Sequence, residues 1–455
     1  MSQRSRDNYG LIFFLLFSTS LLCTHGALSQ QWKSIGPFGR PSMPSDSNSA
    51  CRSAIGNGRV GAVKFVGSGK NRRVIVCTPF DGIRIAPMSD MKWRRPAMKG
   101  MPAIGVADLF SLDRMGKRLV ALTGDADGGL DPDYPAMNSE SIQSRGLFLS
   151  RDGGENWLGP IGIWHRKDST VDEGFWKYPS LKIARKFIVP KNGRGPWFVV
   201  VFTCRYATRG YDSWVYRSTD RGKNWFPVLF KEDGWFKDLM FDPCNSKRIY
   251  CCGRTVYRSD DNGSTWSDIG KMGLPPDSVV NRCLISFTRY EPDALYVLVN
   301  NRKSGFNELY RSAFPGDSLR RLISGAISPP WRTAFAADPS QKGRFLFSAG
   351  NRVNRFESSG NAWRAIPVSS GPHDDIHELT TDHASGSVYA STDGGLFRTF
   401  DGGTHWEDLS SGLDAMEGWG VSAANDSGRL VMLCGTQDCG TLLYRPASDG
   451  STENW

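Results

Sequence analysis

Residues 391–413 read STDGGLFRTFDGGTHWEDLSSGL, and that stretch decides the fold. GLFRTF is a short apolar and aromatic run of strand character, and TFDGGTHW closes it with a turn. The reason is local. Thr399 and Asp401 can bond the turn's own backbone, the glycines tolerate positive φ, and Trp406 offers a large face to a neighbouring sheet. The spacing S-x-D-x-G-x-x-W recurs as SRDGGENW at 150–157, STDRGKNW at 218–225 and SDDNGSTW at 259–266. Four matches at one spacing mark a repeat. Asp152 with Trp157, Asp220 with Trp225, Asp261 with Trp266 and Asp401 with Trp406 read as hairpin staples, not as catalytic groups. Degenerate copies keep the spacing at 86–93, 312–319, 356–363 and 446–453.

Working outward, an apolar run precedes each copy, starting at Arg73, Arg118, Phe198, Arg248, Ala294, Arg344, Ser387 and Arg429, and a second strand follows each run across a turn. A further strand-like segment lies upstream, as in VGAVKFV from Val60 or FKDLMFDP from Phe236. Another follows the motif tryptophan, as in SDIG after Trp266. Each repeat therefore supplies four strands. The expected architecture is all-β, a single β-propeller of four-stranded blades, eight by repeat count and seven if one repeat is absorbed. Trp32 begins the series without a preceding motif, so the N-terminal strand is expected to complete the last blade and remove the exposed edges.

The chain has 455 residues and a net charge of +10 without a dense basic run, which gives nucleic-acid binding little support. Arg4 and Arg6 precede an apolar run from Leu11 to Cys23, with small Ala27 and Ser29 before Gln30. This reads as a signal peptide over 1–29, too short to span a bilayer, with the propeller occupying 30–455. The mature chain is expected outside the cytoplasm, secreted or on the outer cell surface. It stops directly after the last motif copy, which leads us to expect a further C-terminal part such as a sorting domain. There is no Cys-x-x-Cys pair, which excludes a zinc ribbon, and Gly69-Lys70-Asn71 lacks the upstream glycine of a P-loop.

The motif resembles that of the Asp-box (BNR-repeat) β-propellers, which include sialidases, the sortilin-type Vps10 domain, xyloglucan-active glycoside hydrolases and photosystem II assembly factors. HDDIH at 373–377, the 391–413 stretch and GTQDCGT at 435–441 are similar to a secreted bacterial subgroup labelled sortilin-like or glycosyl-hydrolase-like, which usually shows GTQDNGT where this chain has Cys439. The resemblance implies fold and export more than activity. Arg84-Ile85-Ala86-Pro87 is the nearest text to the sialidases' Arg-Ile-Pro segment, with an inserted alanine, and no other sialidase residue is assignable.

Candidate binding residues follow from alternation. If HDDIH enters a strand, His373, Asp375 and His377 share one face at the mouth of the propeller channel, where Asp393, Gln437 and Asp438 can converge. Two imidazoles and a carboxylate are ligands for a divalent metal such as zinc, or they bond one another. Asp125, Asp127, Asp131 and Asp133 in GDADGGLDPDY resemble calcium ligands or form a solvated acidic loop. Trp164, Trp176 and Tyr178 sit in a long insertion and offer a stacking surface for sugar or peptide. Cys434 and Cys439 flank a hairpin and suggest a cross-strand disulfide. No catalytic residue can be assigned. The functional expectation is a scaffold that binds an extracellular glycan or protein, with a glycoside hydrolase, sialidase-like or xyloglucanase-like, as the alternative.

Overall fold

The computed structural model describes residues 57–102, 105–125, 144–161, 182–190, 193–205, 210–312, 318–327, 333–349, 352–368, 371–436 and 440–444. These residues form eight antiparallel sheets, six of four strands and two of three, and in every sheet neighbouring strands follow chain order. No α-helix occurs among them. The sheets are the blades of a β-propeller. Counting along the chain, their first strands are Val63–Val66, Val106–Ser111, Lys182–Ile188, Asp238–Phe241, Val280–Thr288, Phe335–Ala337, Ile376–Asp382 and Gly418–Asp426.

Seven apolar clusters lie between the sheets. One joins the first and second sheets through Ile75, Val106 and Phe148, the next joins the second and third through Leu122 and Val199, and the series continues around the ring. The seventh brings Val74 and Val76 of the first sheet against Tyr389 and Leu396 of the seventh. Seven blades therefore close the ring. The eighth sheet, formed from the repeat at 418–444, belongs to none of the seven clusters, and its Val421 and Leu433 are 67% and 49% exposed. The repeat count is met in sheets, while closure follows the seven-bladed alternative. The segment around Trp32 that was expected to complete the last blade lies outside the described residues.

Closure between the seventh and first blades is made by the run leading into the first strand. The Asn57 and Val60 amides donate to the Gly394 and Thr392 carbonyls at 2.9 and 3.0 Å, and the Ala415 amide donates to Asn57 at 3.0 Å. Gly58 has φ +100°, and an added Cβ would lie 1.9 Å from the Ala415 carbonyl oxygen, so only glycine fits there. Arg84 is 3% exposed and spans the same seam. Its Nε donates to the Leu413 carbonyl at 2.9 Å and its Nη2 to the Asp414 carbonyl at 2.6 Å, while Asp81 takes the ion pair. The residue nearest to a sialidase arginine is thus a latch between blades.

The four motif copies fold alike. Ser150 donates to Asp152 at 2.9 Å, the Gly154 amide donates to Ser150 at 2.9 Å, and the Asn156 amide to Asp152 at 3.0 Å. Ser218, Ser259 and Thr399 start the same pattern around Asp220, Asp261 and Asp401. The tryptophan that ends each copy packs against the preceding blade: Trp157 on the first, Trp225 on the second, Trp266 on the third and Trp406 on the sixth. One motif thus fixes a turn and fills an interblade seam.

These turns set an acid limit. The Asn156 backbone and side chain hold the Asp152 carboxyl at about 2, and the Thr265 hydroxyl and amide do the same for Asp261. A carboxyl held low in the fold adds stability above the ordinary carboxylate range, and loses it as pH falls from about 4 toward 2. The melting-temperature gap between wild type and Asp152→Asn should therefore narrow across that window. A gap unchanged down to about pH 2 would show that the carboxylate charge has no part in holding the turn.

Candidate functional site

The seven blades enclose a cavity of about 410 Å³ lined by residues from the start of each blade, and no residue of Gly418–Asp426 lines it. Its polar character comes from a repeated irregularity. In the second blade Val106 faces Thr123 and Asp108 faces Leu122, which leaves Ala107 as an extra residue. The third blade repeats this at Arg185, between Ala184 and Lys186, and the seventh at His377, between Ile376 and Glu378. A β-bulge re-aims the side chain beside it. In three blades the residue after the bulge is charged and lines the cavity: Asp108, Lys186 and Glu378.

Those charges are paired. Lys186 Nζ lies 2.8 Å from Glu378 Oε1, and Lys64 Nζ lies 2.6 Å from Asp108 Oδ1. Asp108 also accepts the Leu109 and Phe187 amides, the latter across the blade boundary. Burial works against the Lys186 ammonium, but Glu378, Asp108 and Asp238 outweigh it and its pKa is raised. Asp238 sits in the same cavity. Burial pushes its carboxyl above the ordinary value, Glu378 adds to the rise, and Lys186 only partly opposes it.

Where the first strands begin, Arg59 organises a second cluster. Its Nη1 and Nη2 bind both oxygens of Asp125 at 3.0 and 3.1 Å. His377 Nε2 is 2.6 Å from Asp393 Oδ1, and Arg59 Nε is 3.2 Å from that nitrogen and 3.4 Å from the same carboxylate oxygen. One ring nitrogen cannot both accept and donate. The close carboxylate takes the Nε2 proton, so the Arg59 Nε–H also serves Asp393.

The structure corrects the reading of HDDIH. The strand starts at Ile376, and Asp375 has φ 61°, so the alternation that would align His373, Asp375 and His377 is broken. His373 and His377 are both buried. His373 packs over Gly394, where an added Cβ would lie 2.2 Å from its ring. Among the described residues no three His, Cys, Asp or Glu side chains converge as metal ligands. Asp125, read as a calcium ligand, is instead 3% exposed and committed to Arg59. Its companions Asp127, Asp131 and Asp133 lie outside the described residues, as do Trp164, Trp176, Tyr178, Gln437 and Asp438. The expected disulfide is not formed at Cys434, a free thiol. Its cross-strand neighbour is Leu442, so the register offers it no cysteine, and Cys439 lies outside the described residues.

Sequence reading missed Arg59, Lys64, Asp108, Lys186, Asp238 and Glu378. A signal was present: charged residues stand in short first strands that are otherwise largely apolar, as in VKFV, VADLFS and DLMF.

No protein-family model matches the sequence. A xyloglucanase from Hypocrea jecorina (strain QM6a) is 26% identical over 201 residues, which is 43% of this chain and 22% of that protein. Among solved structures, the GH74 enzyme of Niastella koreensis superposes with a TM-score of 0.56 at 19% identity, covering 86% of this chain and 59% of its own. An ancestral GH74 enzyme gives 0.56 at 13% identity, covering 88% and 54%. The chain thus spans about a fifth of the xyloglucanase and little more than half of each solved chain. What it shares with the solved structures is the β-propeller fold. No helix among the described residues is long and apolar enough to cross a membrane.

Proposed function

We propose that this protein is a secreted glycan-binding β-propeller whose ligand site is the cavity enclosed by the ring. The observation that carries this reading is the lining. Arg59, Arg185, Lys186 and Lys237 are balanced there by Asp108, Asp125, Asp238 and Glu378. Donors and acceptors fixed side by side suit hydroxyl groups, which need both. A volume of about 410 Å³ is in the range of small-ligand pockets. The xyloglucanase likeness supports a neutral polysaccharide over an anionic one. So does Arg59, whose guanidinium already serves Asp125 and Asp393, which argues against a sialidase-like site. The test is titration of the purified protein with neutral and acidic glycans alongside a reducing-sugar assay. Saturable binding of a neutral glycan is expected, and binding restricted to acidic glycans would overturn the proposal.

Hydrolysis is the second reading, favoured by Asp238. A glycosidase needs one carboxyl that keeps its proton and a second that does not. Asp238 is raised by burial, and Glu378 is ion-paired with Lys186 in the same cavity. Asp238→Asn should abolish any release of reducing sugar, and release at the wild-type rate would remove Asp238 from that role. Stability offers an independent check. A carboxyl raised in the fold costs stability as pH climbs past its ordinary value, so Asp238→Asn should melt higher than wild type at pH 7, with the gain fading near pH 4. A variant that melts lower at pH 7 would show that Asp238 is held as a stabilising carboxylate.

A further inference from the structure

We infer that the cavity takes the end of a glycan chain, about one or two neutral sugar residues, and excludes the interior of a polymer. The inference rests on the glycan-binding reading and adds the mode of binding. Its first support is encirclement. Seven blades line the cavity, and the seam through which a chain would have to slip sideways, between the seventh and first blades, is sealed by the Asn57, Val60 and Ala415 hydrogen bonds and by Arg84. Lys186 and Glu378 sit on the wall of the ring, so they meet what enters along its axis, and a chain end can enter there without bending.

The second support is size. About 410 Å³ lies in the lower half of the range for small-ligand pockets, roughly 300–1,000 Å³, which matches about one or two sugar residues held inside the ring.

The third is the division of the wall. The fifth and sixth blades line the cavity with uncharged residues, Leu284, Phe287 and Phe335 among them, across the ring from Asp108 and Lys186 of the second and third blades. A pyranose has an apolar face of C–H groups and a rim of hydroxyls, so one ring can lie against the fifth and sixth blades while its hydroxyls meet the paired charges. A longer stretch would take further residues away from both walls.

The test uses the intact protein and β-1,4-glucan oligosaccharides of one to six residues, titrated by calorimetry. The hexamer is also prepared with the reducing end converted to an alditol, and separately with the non-reducing end blocked by methylation. If the chain end is what binds, affinity should stop improving after about the second residue, and one of the two end modifications should weaken binding at least about tenfold. Glu378→Gln should weaken the disaccharide by a similar factor, with a melting curve recorded beside it, while the length series needs no variant at all. Affinity that rises steadily to the hexamer and ignores both end modifications would overturn the inference while leaving glycan binding standing. Failure of every saccharide from monomer to polymer to bind would overturn both.

Discussion

Arg84→Ala is expected to lower the unfolding free energy by about 3 kcal/mol, since it removes charge-assisted hydrogen bonds that nothing else can replace. The guanidinium is almost fully buried and donates to the carbonyls of Leu413 and Asp414, more than 300 residues along the chain, while Asp81 balances its charge. Alanine leaves those carbonyls without that donor, beside the apolar packing of Leu409, Leu413 and Ala415. Arg84→Lys should recover less than half of the loss, because one ammonium cannot span acceptors placed for a planar fork. The loss should persist in about 1 M salt, where a surface ion pair would be screened. Hydrogen exchange supplies the decisive readout. The amides of Asn57, Val60 and Ala415 carry the seam, and their protection should fall before that of the third and fourth blades. Uniform loss of protection around the ring would show that Arg84 supports its own blade and not the closure.

That seam also marks the limit of what the chain's text conveys. The motif turns are legible because all their chemistry lies within eight residues: Ser150, Asp152 and Gly154 bond one another, and Trp157 follows at once. Blade count is harder. The repeat at 418–444 has the composition of a blade, yet the ring is closed by the pairing of Asn57 and Val60 with residues 392–394, and no local pattern encodes such a distant partner. The cavity charges stood in plain view inside apolar strands. Their direction did not, because an extra residue at Ala107, Arg185 or His377 shifts the phase of everything after it, and a shift of one residue exchanges the two faces of a strand. HDDIH failed for a related reason. Alternation holds only in extended backbone, and Asp375 is left-handed. Cys434 and Cys439 are close in sequence, but antiparallel register sets Cys434 against Leu442.

Lys186→Met should cost about 3 kcal/mol at pH 7, because it removes the cation from among three carboxylates and keeps most of the stem's apolar volume. Glu378 loses the ammonium at 2.8 Å, and Asp238 loses the group that opposes its rise. Asp108 is less affected, since Lys64 remains 2.6 Å away. The pH dependence separates charge from packing. Without Lys186, Asp238 loses the cation that opposes its rise and holds its proton more tightly in the fold than in the unfolded chain, so the penalty should grow as pH rises from about 4 to 7 and shrink at the acid end. The double variant Lys186→Met with Glu378→Met should recover at least about 1.5 kcal/mol of the single loss, since it removes the uncompensated charge together with its partner. Equal penalties at pH 4 and pH 7 would instead assign the cost to lost packing of the lysine stem. In that case the paired charges would not be what holds the cavity open to a polar ligand, and its polar lining would be incidental to the fold.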